Sequence, residues 1–325
     1  MSTQGFPLKD AQVHGTLASI AYAGDTLNDD NPTIEALHGA INHQLNSRPH
    51  YATGHDWKLV WGPVESRKHD NLLYAAYEPS TGTLALSIRG TTGQTLSRFE
   101  DIPRYFSTFP DGDAKVSGPF LAGMTSALGL TDKWHGKTFA GFYADFIKTS
   151  TVNTVVVNGH SQGAALVPMM MIALQRGLVG APKVSQPVKG FAYAPPTSGN
   201  QAFADIVNAE CDCWFIINPK DVVPLGYNAM MDVVDKGIPE ELHGFEWGAV
   251  KLLIEGLNAY VDPSEWAQPV QQAHLQGVTL VGEGFFAQIG DQHNHNAYLT
   301  KLGVTGTDVG DPSAFPVLDP PVINA

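Results

Sequence analysis

The strongest constraint on the fold is a strand, a tight turn and a helix that follow one another near the middle of the chain. Residues 154–157 read Thr-Val-Val-Val, an apolar β-branched run that predicts a strand, and residues 162–176 have the pattern of a helix that Gly177 ends. Between them lies the sequence Gly159-His-Ser-Gln-Gly163. A serine between two glycines at a strand-to-helix turn is typical of a nucleophile elbow.

The glycines on either side of Ser161 have a physical role in such a turn. A tight turn holds the serine in a strained backbone conformation, and side chains at the flanking positions would clash with the adjacent strand and helix. The hydroxyl group then stands clear of the sheet, at a helix N-terminus whose free N–H groups favour developing negative charge. We therefore predict that Ser161 is a nucleophile, with a purely structural turn as the alternative.

The segments around this turn predict an α/β fold. Upstream, residues 72–77 and 83–88 are joined by Pro-Ser-Thr-Gly and predict a β-hairpin. Downstream, predicted strands at 190–194 and 214–217 alternate with helices, which is the pattern of a mostly parallel sheet covered on both faces. The chain has 325 residues, 43% of them apolar, and can bury one sizeable core, so we expect a single domain over residues 1–325. The predicted helices are 13–22, 138–148, 162–176 and 242–260.

Charge and cysteine content argue against several classes of function. A formal net charge of −13 without a cluster of Lys and Arg would repel a nucleic-acid backbone. Cys211 and Cys213 stand two residues apart on an apolar run, which indicates strand positions on one face and not a disulfide. The first residues lack the pattern of a secretory signal, and no apolar run approaches the ~18 residues that span a bilayer. We therefore expect a soluble chain without a nucleic-acid partner. The sequence predicts neither its cellular location nor its oligomeric state.

A serine hydroxyl needs two partners to act as a nucleophile at neutral pH. An imidazole takes its proton, and a carboxylate holds the imidazole in the correct tautomer and orientation. Because the chain order in hydrolases with this elbow is serine, acid, histidine, the partners are sought after Ser161. Asp221 follows the predicted strand 214–217 by a short loop, where a carboxylate is well placed for the crevice at the sheet's carboxyl end. We predict that Asp221 is the acid; the alternative is a solvated turn residue.

The late histidines leave a choice of base. His274, His293 and His295 all follow Asp221, and we select His295. The pair His293-x-His295 also has the spacing of two metal ligands on one face of a strand, but no third ligand with matching spacing accompanies it. A base at His295 is therefore the prediction, and a metal site is the alternative.

An oxyanion hole requires two hydrogen-bond donors close to the serine. One is the backbone N–H of the residue after the nucleophile, here Gln162. The other comes from an earlier loop, and the predicted strand 83–88 ends in Arg89-Gly-Thr-Thr-Gly. In that loop Thr91 offers both a backbone N–H and a hydroxyl group. We therefore predict an oxyanion hole made by Thr91 and Gln162.

Taken in order along the chain, these motifs resemble those of the class 3 lipases, which include fungal triacylglycerol lipases and plant and bacterial relatives. Arg89-Gly-Thr resembles the end of the family's oxyanion strand, and Gly-His-Ser-Gln-Gly resembles its elbow. Asn218-Pro-Lys-Asp resembles its acid motif. His295-Asn-Ala-Tyr298 resembles the family's terminal His-x-x-Tyr motif and favours His295 over His293. The resemblance covers most of the chain.

The resemblance implies an α/β-hydrolase fold and hydrolysis of acylglycerols or phospholipids, with neither a metal nor another cofactor. It also implies a lid after the oxyanion strand, for which residues 95–123 are the candidate, with an ordinary packed connection as the alternative. The long stretch after the acid suggests a cap at 232–275. The expected triad of Ser161, Asp221 and His295 works through an acyl-enzyme. The alternatives are a soluble short-chain esterase or a phospholipase with the same triad, or a non-catalytic binding protein on the same fold.

Overall fold

The computed structural model describes residues 5–27, 32–47, 52–54, 56–66, 71–90, 105–229, 263–276 and 290–304. Its strands are β1 (Lys58–Ser66), β2 (Asn71–Glu78), β3 (Thr83–Arg89), β4 (Phe106–Thr108), β5 (Lys115–Ser117), β6 (Thr154–His160), β7 (Val188–Tyr193), β8 (Asp212–Ile217) and β9 (Gln272–His274). Its α-helices are α1 (Leu8–Ile20), α2 (Ile34–Ser47), α3 (Gly118–Leu128), α4 (Phe139–Thr149), α5 (Gln162–Arg176), α6 (Gln201–Glu210) and α7 (His295–Lys301).

The centre of the molecule is a seven-stranded sheet with the order β1-β2-β3-β6-β7-β8-β9. The strands β1, β2 and β3 pair antiparallel, and the hairpin of β2 and β3 is the predicted one. From β3 onwards each neighbouring pair is parallel. Parallel neighbours require crossover connections, which α5 and α6 provide between β6, β7 and β8. The prediction of a mostly parallel sheet flanked by helices is confirmed.

Alternate side chains of the central strand β6 pack on opposite faces of the sheet. Val155 and Val157 join the cluster that contains α5, and we call this side the α5 face. Val156 joins a cluster with Ala18 of α1 and Tyr298 of α7, and we call this side the α1 face. This alternation is the period of two that a strand imposes on its side chains.

The helices begin and end at residues with identifiable local chemistry. The side chain of Thr138 accepts a hydrogen bond from the N–H of Gly141 at the start of α4, and Asn200 accepts one from Phe203 at the start of α6. Gly177 ends α5 in the left-handed conformation, with φ of 71°. All residues of α5 from 163 to 174 are buried, so this helix lies inside the core and not at its surface.

Parts of the predicted lid and cap, 95–104 and 232–262, lie outside the described residues, as does the predicted helix 242–260. The remainder of the lid segment forms β4, β5 and the first half of α3. Phe109, Val116 and Phe120 of this remainder belong to the buried cluster on the α5 face. Among the helices in the described ranges, none combines the length and apolar character that crossing a bilayer requires.

Candidate active site

Ser161 lies between the end of β6 and the start of α5, in a conformation that few residues adopt. Its φ is 60° and its ψ is −131°, and its N–H donates to the carbonyl oxygen of Tyr193 at 2.9 Å. A Cβ on Gly159 would lie 2.6 Å from the carbonyl oxygen of Gly163, and a Cβ on Gly163 would lie 2.4 Å from that of Ile88. Backbone atoms therefore leave no room for a side chain at either glycine, as expected of a nucleophile elbow.

One imidazole bridges Ser161 and Asp221, and it belongs to His293. Its Nε2 lies 2.8 Å from Oγ of Ser161, and its Nδ1 lies 2.8 Å from Oδ2 of Asp221. The exposed fractions of the three residues are 4% for Ser161, 2% for Asp221 and 8% for His293. The imidazole of His293 is thus within hydrogen-bond reach of both the Ser161 hydroxyl and the Asp221 carboxylate, which is the arrangement that activates a serine.

The carboxylate of Asp221 is held from two further directions. Its Oδ1 accepts the N–H of Val223 at 3.0 Å, and its Oδ2 accepts the hydroxyl of Tyr298 at 2.7 Å. The hydroxyl oxygen of Tyr298 in turn accepts the N–H of Asn218 at 3.1 Å. These bonds leave the carboxylate one orientation, in which it faces His293.

The structure corrects the prediction that His295 is the base. His295 is the first residue of α7, and its ring stacks on that of Tyr22 with centroids 4.6 Å apart. Asn294 caps α7 by accepting the N–H of Asn296, which leaves His293 outside the helix and free to extend towards Ser161. The helix start therefore turns the two imidazoles in different directions.

Tyr298 of the His-x-x-Tyr motif contacts Asp221, but the histidine that contacts Ser161 is His293 and not the motif's His295. His293, which contacts Ser161, stands five residues before Tyr298, whereas His295 stands three residues before it. A usable signal was Asn294, since asparagine is a strong N-cap residue and predicts that the histidine before it lies outside the helix.

Asn218 has a structural role at the site that was not predicted, because the sequence analysis named it only as the first residue of the acid motif. Its Nδ2 donates to the backbone oxygen of Gln292 at 3.0 Å and to Oε1 of the same residue at 2.8 Å. These bonds join the loop of the acid to the loop of the base.

Lys301 is a buried residue near the site. Burial lowers the pKa of its ammonium group to about 8, while the charge of Asp221 acts in the opposite direction.

The predicted oxyanion donors are placed only in part. Gln162 is the first residue of α5, directly after the nucleophile, while Thr91 lies outside the described residues. Gly90, the residue before Thr91, packs on the elbow: a Cβ there would lie 2.8 Å from the oxygen of His160 and 3.0 Å from the nitrogen of Gln162. Gly90, the last described residue before Thr91, therefore touches the backbone of the elbow.

The two cysteines and the late histidines do not form a metal site in the part of the chain that the structure describes. Within those ranges, no group of three or more His, Cys, Asp or Glu side chains could hold a metal ion. Cys211 and Cys213 are free thiols. Burial, followed by the charge of Glu210, raises the pKa of Cys211 to about 12, which opposes formation of the reactive thiolate.

Comparison with known proteins finds a family profile that matches the middle part of the chain. Residues 85–229, which include Ser161 and Asp221, match the sequence profile of the family described as Lipase (class 3). Among proteins with curated functions, none matches this chain.

Among solved structures, M37 lipase is similar to this chain with a TM-score of 0.74 and 19% identity, over 92% of this chain and 96% of that one. The triacylglyceride lipase of Rhizomucor miehei is similar with a TM-score of 0.52 and 19% identity, over 69% of this chain and 75% of that one. A mutant form of MDLA from Penicillium cyclopium is similar with a TM-score of 0.52 and 16% identity, over 88% and 85%. At these identities the structures show the fold, and the profile match adds a likeness in sequence over residues 85–229. The chain therefore has an α/β-hydrolase fold, and its residues 85–229 match the profile of the class 3 lipases, which supports a carboxylic-ester hydrolase.

Proposed function

We propose that the protein hydrolyses lipid esters with Ser161 as nucleophile, His293 as general base and Asp221 as the acid that orients the base. The observation that carries this assignment is the position of the His293 ring, with one nitrogen 2.8 Å from the Ser161 hydroxyl and the other 2.8 Å from the Asp221 carboxylate. Because a serine hydroxyl is a weak nucleophile without a base at this distance, the ring is what makes Ser161 reactive.

The reaction has two halves that use the same groups. In the first, Nε2 of His293 takes the proton of Ser161 as Oγ attacks the ester carbonyl, and the imidazolium then gives that proton to the leaving alcohol. In the second, His293 removes a proton from water as the water oxygen attacks the acyl carbon, and the imidazolium then returns a proton to Oγ of Ser161 as the fatty acid is released. Asp221 stabilises the imidazolium in both halves, and its own bonds to Val223 and Tyr298 keep it in place.

The negative charge that forms on the carbonyl oxygen needs donors at the elbow. We assign the backbone N–H of Gln162 as one donor, because it is the first residue of α5. The second donor is proposed to be Thr91, which follows Gly90 at the point where the chain packs on the elbow. Donors of this kind each contribute about 10²- to 10³-fold to kcat.

The proposed substrates are neutral acylglycerols. The family match and the lipases among the similar structures support a lipid ester. The net charge of −13 favours neutral lipids over anionic phospholipids, because a negative protein is repelled by an anionic lipid surface. A phospholipase and a short-chain esterase with the same triad are the alternatives that chain-length and head-group comparisons test.

The decisive experiment measures hydrolysis of p-nitrophenyl esters from acetyl to palmitoyl by the wild type and by Ser161→Ala. We expect activity in the wild type that increases with acyl length, and its loss in the variant with an unchanged circular dichroism spectrum. A maximum at short chains would replace the lipase assignment by a short-chain esterase. Full activity in Ser161→Ala would refute the nucleophile.

A further inference from the structure

We propose that His160 is a positioning residue for the base and acts through a chain of hydrogen bonds from Gly90 through Tyr22 to the backbone of His293. We call these four groups the Tyr22–His160 relay. The proposal deepens the ester-hydrolase function above and rests on it. It assigns a role to the residue immediately before the nucleophile, whose side chain the mechanism otherwise does not use.

The relay is continuous. The N–H of Gly90 donates to the hydroxyl oxygen of Tyr22 at 3.1 Å, and that oxygen lies 3.1 Å from Nδ1 of His160. Nε2 of His160 lies 2.8 Å from the carbonyl oxygen of His293. Tyr22 and His160 are 6% and 4% exposed, so the relay lies in the interior, where hydrogen bonds are not exchanged with bulk water.

The direction of each bond in the relay follows from groups that can act in only one way. The carbonyl oxygen of His293 only accepts, so Nε2 of His160 carries the hydrogen. In a neutral imidazole Nδ1 is then an acceptor, so the hydroxyl of Tyr22 donates to it. The carbonyl oxygen of His160 is a more distant acceptor for that hydroxyl, at 3.4 Å. Burial, together with the charges of His293 and His295, lowers the pKa of His160 well below its usual value and keeps the ring neutral.

At one end the relay holds the backbone from which the base extends. Asp221 orients the imidazole of His293, but the ring can reach Ser161 only if its backbone is also held. Two successive carbonyl oxygens of this loop are bound: that of Gln292 by Asn218 and that of His293 by His160. A displacement of the base by about 1 Å would already cost on the order of 10²-fold in rate.

At the other end the relay holds the turn that leads to the proposed oxyanion donor. Gly90 donates to Tyr22 and packs within contact distance of the elbow, and Thr91 is the next residue. One imidazole therefore connects the base loop to the oxyanion turn. A residue that merely filled this space would be apolar, since a buried polar ring is costly unless both nitrogens are bonded.

Kinetics of three variants test the relay. In His160→Gln the amide nitrogen can still donate to the carbonyl of His293, whereas His160→Asn is too short to do so, and Tyr22→Phe removes the hydroxyl. We expect kcat to fall about 10- to 100-fold in His160→Asn and Tyr22→Phe, less in His160→Gln, and KM to change little because the relay does not touch the substrate.

The matched control is His14→Gln, a second buried histidine on the α1 face, which is 6% exposed and stacks on Phe191. We expect it to lower the unfolding temperature without lowering kcat. A kcat of His160→Asn equal to that of this control would overturn the proposal, as would equal losses in His160→Gln and His160→Asn.

Nitrogen-15 NMR of the imidazoles tests the relay without an activity assay. The chain has 12 histidines, and the signals of His160 are those that disappear in His160→Gln. We expect the neutral Nε2–H tautomer at pH 7, with an Nδ1 resonance that moves in Tyr22→Phe. An Nδ1–H tautomer or an imidazolium would overturn the relay, whereas a protein with this tautomer that hydrolyses no ester would contradict only the proposed function.

Discussion

The two faces of the central sheet are both buried, yet they are built from different chemistry. On the α5 face the sheet is covered by a helix whose buried positions are mostly Ala, Leu, Val and Met. On the α1 face the buried set includes polar side chains, among them His14, Tyr74, Asn158, His160 and Tyr193. Several of these bond to helix backbone: Tyr74 donates to Leu17 at 2.5 Å and Tyr193 to Ala11 at 2.5 Å.

The two faces differ in what they contribute: the α5 face stabilises the fold, and the α1 face orients the side chains of the site. The α5 face requires correct volumes, because close packing is non-directional. The α1 face requires correct directions, because hydrogen bonds weaken steeply when their geometry changes. Three side chains that support the proposed triad, those of Tyr298, His160 and Tyr22, lie on the α1 face. The following four predictions test this division.

The largest effect is expected when the two late histidines are compared. His293→Ala should lower kcat/KM for p-nitrophenyl esters by about 10⁴-fold or more, since it removes the group that bonds to both Ser161 and Asp221. His295→Ala should change it by less than about 10-fold, because its ring stacks on Tyr22 instead. Steady-state kinetics of both variants decides, and a larger loss in His295→Ala would reverse the assignment of the base.

A substitution that creates a cavity on the α5 face should lower the unfolding free energy and leave kcat unchanged. Met170 has no exposed surface, and Met170→Ala should lower the unfolding free energy by about 2–5 kcal/mol. The volume-conserving Met170→Leu is the control and should cost less than about 1.5 kcal/mol. Urea denaturation measures both, and kcat of the folded protein should stay at the wild-type value; a fall in kcat would show that this face also orients the site.

Acid should weaken the α1 face through His14. Burial, with a smaller contribution from the charge of Lys189, lowers the pKa of His14 to about 3, from 6.5 in the unfolded chain. Above pH 6.5 neither state is protonated, and below it only the unfolded state binds the proton, so stability is lost as pH falls from 6.5 towards 3. His14→Phe should therefore lose about 2 kcal/mol less than the wild type between pH 7 and 5. Urea denaturation at pH 7 and pH 5 measures the loss in each protein. Equal losses in the wild type and in His14→Phe would contradict this account.

The smallest effect is expected from a single buried hydroxyl. Tyr193→Phe removes the bond to the backbone oxygen of Ala11 and should lower the unfolding free energy by about 1 kcal/mol. The control is Tyr77→Phe, whose hydroxyl donates to Thr151 at 2.8 Å in an exposed position and should contribute less than about 0.5 kcal/mol. Equal effects in thermal unfolding would mean that burial adds nothing to these bonds.

Elements with strong local patterns were predicted from the sequence. The segments β6 and α5, the hairpin of β2 and β3, and α4 all agree with their predictions within a few residues. The boundaries of α1 agree less well, since the helix covers Leu8–Ile20 and not 13–22. It begins directly after Pro7, a residue favoured at helix starts, but its apolar residues do not form one stripe and so give little periodic signal.

For the site, the sequence by itself determined the residues whose roles depend on their immediate neighbours. Gly159, Ser161 and Gly163 define a turn within five positions, and Asp221 follows its strand by a short loop, so local chemistry was sufficient to select them. Only the tertiary structure decided between His293 and His295. His293 is separated by 72 residues from Asp221 and by 132 from Ser161, and its contact with both depends on where α7 begins. Whether residues so far apart along the chain meet in space is set by the packing of the whole sheet, which a motif of four residues does not encode.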